Sequence, residues 1–363
     1  MPPDWIFRIG WGTPIVRNYL QIRMEADQLG VSILQARAAR NALNARVASS
    51  KLTRNSQSLR WAIKTPVPAG AAGDNWGDLY FAQEIAAALI RKGHKARVDR
   101  RTEVINVDSA NDDVILVLRG VERISSQNGA INLLWIISHP SRISKNELKS
   151  FDKVFAASMS WSLKHSKQTG IEILPLLQAT NPEKFNPDSG QPDSGHNVLF
   201  IGNSRKRFRR IIKDAISIGI EPKIYGQDWN EFVSDELVAG TFVPNSEISA
   251  MYRAAGVVLN DHWLDMAKFG FISNRLFDAA ASGARVISDE VQGITALFDG
   301  AVQTYKTPTQ LTALISPSGI TSFGSPEHIS ERARRIGTAN SFNERVDHLI
   351  DAAQKAMKHN ADN

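Results

Sequence analysis

The sequence predicts an α/β protein: two parallel sheets, each covered by helices, behind one long N-terminal helix. Three observations carry this. From Leu59 onward, short apolar runs alternate with helical stretches, the pattern of strands buried on both faces of a parallel sheet. A run of Pro, Gly, Asp and Ser, NPDSGQPDSGHN at 186–197, interrupts the alternation, which then restarts. Between Pro14 and Pro66 there is no proline, and Ile15, Ile22, Leu29, Ala36 and Leu43 recur every seven residues.

The expected organisation follows in chain order. Residues 1–58 form a basic helical extension, with Ile33 and Val47 also on its apolar pattern and Gly30 in its middle. A dimerisation helix, a basic helix on an anionic membrane and a helix packed on its own domain all fit. Residues 59–185 form a first Rossmann-like domain. Its strands are expected at 59–66, 113–120, 131–140, 153–158 and 171–179, with a helix over 76–92 after a Gly-rich loop. Residues 186–196 are a linker. Residues 197–325 form a second Rossmann-like domain, with strands at 197–203, 222–227, 237–243, 256–261, 284–289 and, at its edge, 301–306. Helices at about 326–336 and 340–357 close the chain, with 326–363 expected to pack back on the first domain. Two such halves are expected to face a cleft, with ligands at the carboxyl ends of the strands.

Composition narrows the function. With 363 residues the chain has room for two or three domains with real cores. It has no cysteine, which excludes disulfides, thiol catalysis and thiolate metal sites. The eight histidines are scattered without a ligand spacing, so no metal site is expected. Residues 1–60 hold nine Lys or Arg against three acids, which accounts for the whole net charge of +6. The body is formally neutral, which argues against nucleic acid as a partner. No apolar run reaches transmembrane length and the N-terminus makes a poor signal peptide, so a cytoplasmic protein is expected, with peripheral contact to the inner face of the membrane as an option.

The second half carries a family grammar. LVAGTFVPNSEISAMYRAAGVVLND followed by SNRLFDAAASGARVISDEVQGI resembles the donor half of GT-B glycosyltransferases. The resemblance points to the CgeB-like, family-1-type branch, in which an arginine at the place of Arg275 is common and NSFNERVDHLI (340–350) has a counterpart. KTPVPAGAAGDNWGDLYFAQEIAAALIRKGHKARV is similar to the opening of the acceptor half. This resemblance implies transfer of a sugar from a nucleoside-diphosphate donor, UDP or GDP, to a glycan, glycoconjugate or lipid-linked acceptor in bacterial surface polysaccharide synthesis, without a further cofactor. Retaining enzymes of this fold often carry an E-x7-E pair. Here the second acid is Asp278 and the first position is Gly270, so neither retention nor inversion is assigned.

The same resemblance places the donor site. Asp278 stands where a glutamate grips the ribose hydroxyls, and is otherwise a helix acid stabilised by the dipole. Ser273 and Asn274 precede that helix and can cap it, its N–H groups and Arg275 serving a diphosphate. In IGNSRKRFRR, Gly202 and Asn203 allow a close turn, and five cations crowd the helix start. Arg205 and Arg209 are the first choices for the phosphate. Tyr225, Gly226 and Val243, within 242–244, lie at strand ends near the base. His139 and Asp74 are candidate catalytic bases. His262 is a base, a sugar contact or a buried structural histidine, and Trp263 a surface on which a sugar can stack. Gly73, Asn75 and Asp78 are acceptor-side candidates. Two rival functions remain: a nucleotide-sugar epimerase of the same fold, and a non-catalytic nucleotide or glycan binder assembled through the N-terminal helix as a homo-oligomer.

Overall fold

The computed structural model describes residues 58–103, 109, 111–188 and 198–362. The expected N-terminal helix and most of the expected linker lie outside them. The chain divides into two compact units. One runs to Trp135 and takes in Asn146–Val154 and the chain from Ile350; the other comprises Ile136–Lys145 and Phe155–Leu349.

The first sheet holds β1 (Arg60–Lys64), β2 (Lys95–Asp99), β3 (Val114–Arg119), β4 (Ile131–Ile136), β5 (Lys153–Ala156) and β6 (Ile173–Pro175), in the order β2-β1-β3-β4-β5-β6. Between them run α1 (Ala71–Asp74), α2 (Gly77–Arg91), α3 (Lys145–Leu148) and α4 (Met159–Thr169). Strands β3 and β4 are buried at every residue, including Arg119 and Asn132, as strands covered on both faces require. Helix α2 presents Leu79, Phe81, Ala82, Ile85, Ala86, Ala88 and Leu89 to the core at helical spacing. Strand β2 is not an apolar run. It reads KARVD, is half-exposed at the sheet edge, and so escapes a search for apolar segments. The strand expected over 171–179 stops at Pro175.

The second sheet holds β7 (Val198–Ile201), β8 (Lys223–Tyr225), β9 (Val238–Gly240), β10 (Val257–Asn260), β11 (Val286–Asp289) and β12 (Val302–Tyr305), in the order β12-β11-β10-β7-β8-β9. Its helices are α5 (Arg210–Ser217), α6 (Asn245–Ala254), α7 (Leu264–Lys268), α8 (Asn274–Ala281), α9 (Ile294–Phe298), α10 (Pro308–Ile315) and α11 (Pro317–Thr321), followed by α12 (Pro326–Ala339) and α13 (Phe342–Asp362). The pairs β7–β8, β7–β10, β10–β11 and β11–β12 are parallel.

Alternation along the strands builds two cores on the two faces of this sheet. Leu199, Val258 and Val286 join α8 residues Leu276, Phe277, Ala279 and Ala280 on one side. Val198, Phe200, Val257, Leu259 and Ile287 join Ile211 and Ile212 of α5 and Leu311 of α10 on the other. Leu276 and Phe277 are fully buried, and truncating either to Ala would cost about 2–5 kcal/mol. Helix α8 is therefore anchored by its apolar face, which leaves the half-buried Asn274, Arg275 and Asp278 to other contacts. The strand expected over 237–243 is only three residues long, because Asp235–Leu237 winds into a 3-10 turn and Pro244 precedes α6.

Candidate functional site

In the second sheet the strand order reverses between β7 and β10. Both neighbouring connections leave this point in opposite directions, which opens a crevice at the carboxyl ends of the two strands. The segments leaving those ends are Gly202–Arg209 and Asp261–Trp263.

The loop after β7 is tied to the one after β8. Gly202 N donates to Tyr225 O (2.7 Å), Ser204 N to Gln227 O (3.0 Å) and Gln227 N to Asn203 Oδ1 (2.9 Å). A Cβ on Gly226 would lie 2.3 Å from Gly202 O, so only glycine permits this approach. Trp229 Nε1 closes the turn by donating to the same oxygen (2.8 Å). Arg205 and Lys206 then take left-handed conformations, φ 63° and 54°, at a cost of roughly 1–2 kcal/mol for a residue with a side chain. Such strain persists where a surrounding structure imposes it, and it concentrates at functional sites.

That backbone gathers guanidinium groups. A Cβ on Gly202 would meet Arg209 Nη1 and Arg275 Nη2, each at 3.0 Å, so the two side chains converge over one glycine. Arg209 is fully buried. It pairs with Asp261, whose main-chain oxygen also accepts from Nη2 (2.9 Å), and it donates to Asn203 O (3.2 Å). Arg275 donates to Asn260 Oδ1 (2.9 Å). Arg205 and Arg207 lie over the Trp263 ring, 4.2 and 4.8 Å from its centroid. Burial, then the charges of Arg275 and Arg207, pushes Arg205 down to about 9. Burial, then Arg205, Arg275 and Arg207, pushes the Arg209 guanidinium below its usual range. Arg205 Nη1 and Arg209 Nε are buried without a hydrogen-bond partner. Like charges held this close, with buried donors unmet, are stabilised by an anion.

The start of α8 faces the same residues. Ser273 occupies the N-cap position, but its hydroxyl makes no capping bond. Its main-chain N–H donates instead to His262 Nε2 (2.9 Å). Asn274 does not cap either: Nδ2 donates to Asp278 Oδ2 (2.9 Å), and Oδ1 is buried without a partner. Asp278 Oδ1 accepts from Thr180 Oγ1 (2.7 Å), so both carboxylate oxygens expected to hold a ribose are engaged within the protein. Thr180 carries no local signal in the sequence. It comes to Asp278 because its main chain is held by Asn340 and Phe342, ahead of the buried Arg345.

His262, expected as a possible base, does not have the geometry of one. Its side chain is fully buried, Nδ1 lies 2.7 Å from Asp289 Oδ1, and Nε2 is occupied by the Ser273 amide. Trp263, expected as a surface for a sugar, is half-buried and has Arg205 and Arg207 over its ring. The structure brings His139 to the ring instead. His139 sits in the second unit in a left-handed conformation, φ 51°, ahead of a 3-10 turn at Pro140–Arg142. Its ring centroid is 5.4 Å from that of Trp263, and Nδ1 is 3.9 Å from Asp265 Oδ2. Ser141 Oγ donates to the same carboxylate oxygen (2.9 Å). Among the expected base contacts, Tyr225 meets Gly202 through its main chain and Val243 is buried.

Gly270, where the first acid of an E-x7-E pair would stand, has φ +71°, and a Cβ there would lie 3.0 Å from Ser160 Oγ and 3.1 Å from Ser158 Oγ. The backbone itself disfavours a side chain at this position.

In the first unit, Gly73 is required, because a Cβ would lie 1.9 Å from Pro68 O. Asp74 forms an ion pair with Arg100 (2.7 Å), and Asn75 ends α1. Asp78 opens α2, where burial raises its carboxyl to about 6. Among the described residues, no three acids or histidines are grouped to hold a metal, and no helix is long and apolar enough to cross a membrane.

Residues 205–351 match a family model described as glycosyl transferase-like. Solved structures share the fold. AviGT4, a glycosyltransferase involved in avilamycin A biosynthesis, is 14% identical, with a TM-score of 0.57 over 83% of this chain and 98% of that one. The sucrose-phosphate synthase of Thermosynechococcus elongatus is 10% identical, with a TM-score of 0.58 over 83% of this chain and 100% of that one. HepE of Anabaena, solved in complex with UDP-glucose, is 11% identical, with a TM-score of 0.53 over 80% of this chain and 99% of that one. No curated protein matches the sequence. The chain therefore has the GT-B fold of these enzymes, and its stretch from Arg205 to Asp351 is glycosyl transferase-like.

Proposed function

We propose that the protein transfers a glycosyl group, most simply a hexosyl group, from a nucleoside-diphosphate sugar with UDP or GDP as the leaving group. The observation that carries this is the convergence of Arg209 and Arg275 over Gly202, with Arg205 and Arg207 stacked nearby on Trp263. In the reaction, the acceptor oxygen bonds to the anomeric carbon as the bond from that carbon to the phosphate oxygen breaks. The diphosphate leaves with the electron pair, and the guanidiniums and the first turn of α8 stabilise the charge it gains. The acceptor hydroxyl proton passes to a base, for which His139, beside Trp263 and Asp265, is the proposed group. Asp278 would meet the ribose through the second lone pair of an oxygen that already accepts from Thr180 or Asn274. Asp74 and Asp78 remain proposals for the acceptor side, and burial raises the Asp78 carboxyl. A glycan or lipid-linked acceptor in surface polysaccharide synthesis is the biological reading.

A non-catalytic nucleotide binder is favoured by one observation, the backbone at Gly270 that disfavours an acid there. The deciding experiment incubates the protein with a panel of UDP and GDP sugars, with and without glycan acceptors, and follows nucleoside diphosphate release. Release that depends on acceptor supports the transferase. Binding without release supports the binder, and donor conversion without any acceptor supports an epimerase.

A further inference from the structure

A closed circuit of hydrogen bonds holds the first turn of α8. Arg275 Nη1 donates to Asn260 Oδ1 (2.9 Å), and Asn260 Nδ2 donates to Ser288 Oγ (2.9 Å). Ser288 Oγ donates to Asp289 Oδ1 (3.0 Å), the oxygen that lies 2.7 Å from His262 Nδ1. His262 Nε2 then accepts the Ser273 N–H (2.9 Å), one residue before α8 and two before Arg275. A second strut runs from His262 N to Asp289 Oδ2 (3.2 Å). Asn260, His262 and Ser288 are all buried.

The chemistry of the ring is settled by its neighbours. An amide N–H can only donate, so Nε2 must be a lone-pair acceptor and the ring proton sits on Nδ1, donated to the Asp289 carboxylate. Burial alone would raise that carboxyl. The His262 and Ser288 hydrogen bonds outweigh it and hold Asp289 below its usual range.

We propose that His262 is a positioning residue for the diphosphate site: with Asp289 it fixes the Ser273 amide, and thereby sets the place of Arg275 relative to Gly202. This rests on the diphosphate reading of the arginine cluster. The side chain touches neither donor nor acceptor. It holds the N–H of the N-cap residue itself rather than an amide of the first turn, and does so from the end of the strand next to the switch point.

The test compares His262→Gln, which retains an acceptor oxygen at the distance of Nε2, with His262→Leu. UDP and GDP are titrated by calorimetry, and the Ser273 amide is followed by hydrogen exchange in the ligand-free protein. Long-range proton–nitrogen spectra of the wild-type ring report which nitrogen carries the proton. The expected results are a protonated Nδ1, a slowly exchanging Ser273 amide in wild type and His262→Gln, and affinity ~10-fold weaker in His262→Leu but nearly restored in His262→Gln. Equal affinity in wild type and a folded His262→Leu, equal loss in both variants, or a proton on Nε2 would overturn the assignment. A folded wild type that binds neither nucleotide, with the Ser273 amide still protected, would instead refute the diphosphate reading and leave the circuit standing.

Discussion

Both sheets reverse their strand order at an inner strand, yet the two reversal points are charged differently. In the first, Lys64 ends β1 and is buried, donating to Gln127 Oε1 (2.7 Å) with Asp99 and Asp112 raising its charge stability. Arg97 bridges those same two acids. Two cations thus meet two carboxylates. In the second, the guanidiniums of Arg205, Arg207, Arg209 and Arg275 crowd one another, with Arg209 paired to Asp261 and Asp289 attracting Arg205 and Arg209. The same topology therefore supports a self-neutralised structural network in one place and a surplus of positive charge in the other. Topology says where a ligand can sit. The crowded guanidiniums are what the diphosphate proposal rests on.

The comparison can be broken at several points. The largest effect is expected at Arg209, which belongs to the fold as much as to the site. Arg209→Met leaves Asp261 buried and unpaired and should cost about 3–5 kcal/mol in urea unfolding. Arg275→Ala removes a charge that faces the crevice and should weaken UDP or GDP binding roughly 10- to 100-fold by calorimetry, with the fold retained on circular dichroism. Gly226→Ala places a Cβ on Gly202 O and should cost about 1–3 kcal/mol of stability together with nucleotide affinity, since the β7 loop must shift.

The smallest effect sharpens the other side. Burial lowers Lys64 from its usual value to about 8, against the pull of Asp99 and Asp112. Between about pH 8 and the unfolded value of about 10.4 the unfolded chain binds more protons at this group, so its contribution makes stability rise with pH across that window. Urea unfolding from pH 7.5 to 10.5 should show this slope in wild type and a shallower one in Lys64→Met.

Much of the second half is legible in the sequence because its signals are local. Apolar runs mark five of the six second-sheet strands well, and the arginines after Gly202 and at 275 stand at helix starts, where a cation is unfavourable unless an anion compensates. What escapes is non-local. His262 meets Asp289 across 27 positions and Thr180 meets Asp278 across 98, and nothing near either residue announces its partner. The stacking of Arg205 and Arg207 on Trp263, across more than fifty positions, is equally silent in the sequence. Ser273 and Asn274 have the right chemistry for capping, but the buried His262 and the Asp278 carboxylate compete for them. Arg209 and Arg205 look alike in sequence, and only burial separates the paired arginine from the crowded one.

Arg205 offers the most direct test of surplus charge as the basis of the site. It is held in a left-handed backbone beside Arg207 and Arg275, so it should destabilise the empty protein and serve only a bound anion. The measurement is urea unfolding and UDP and GDP calorimetry on the same preparations of wild type and Arg205→Ala. Unchanged or increased stability with ~10-fold weaker nucleotide binding is the expected result. Lost stability with unchanged affinity would make the arginine cluster structural and contradict the account.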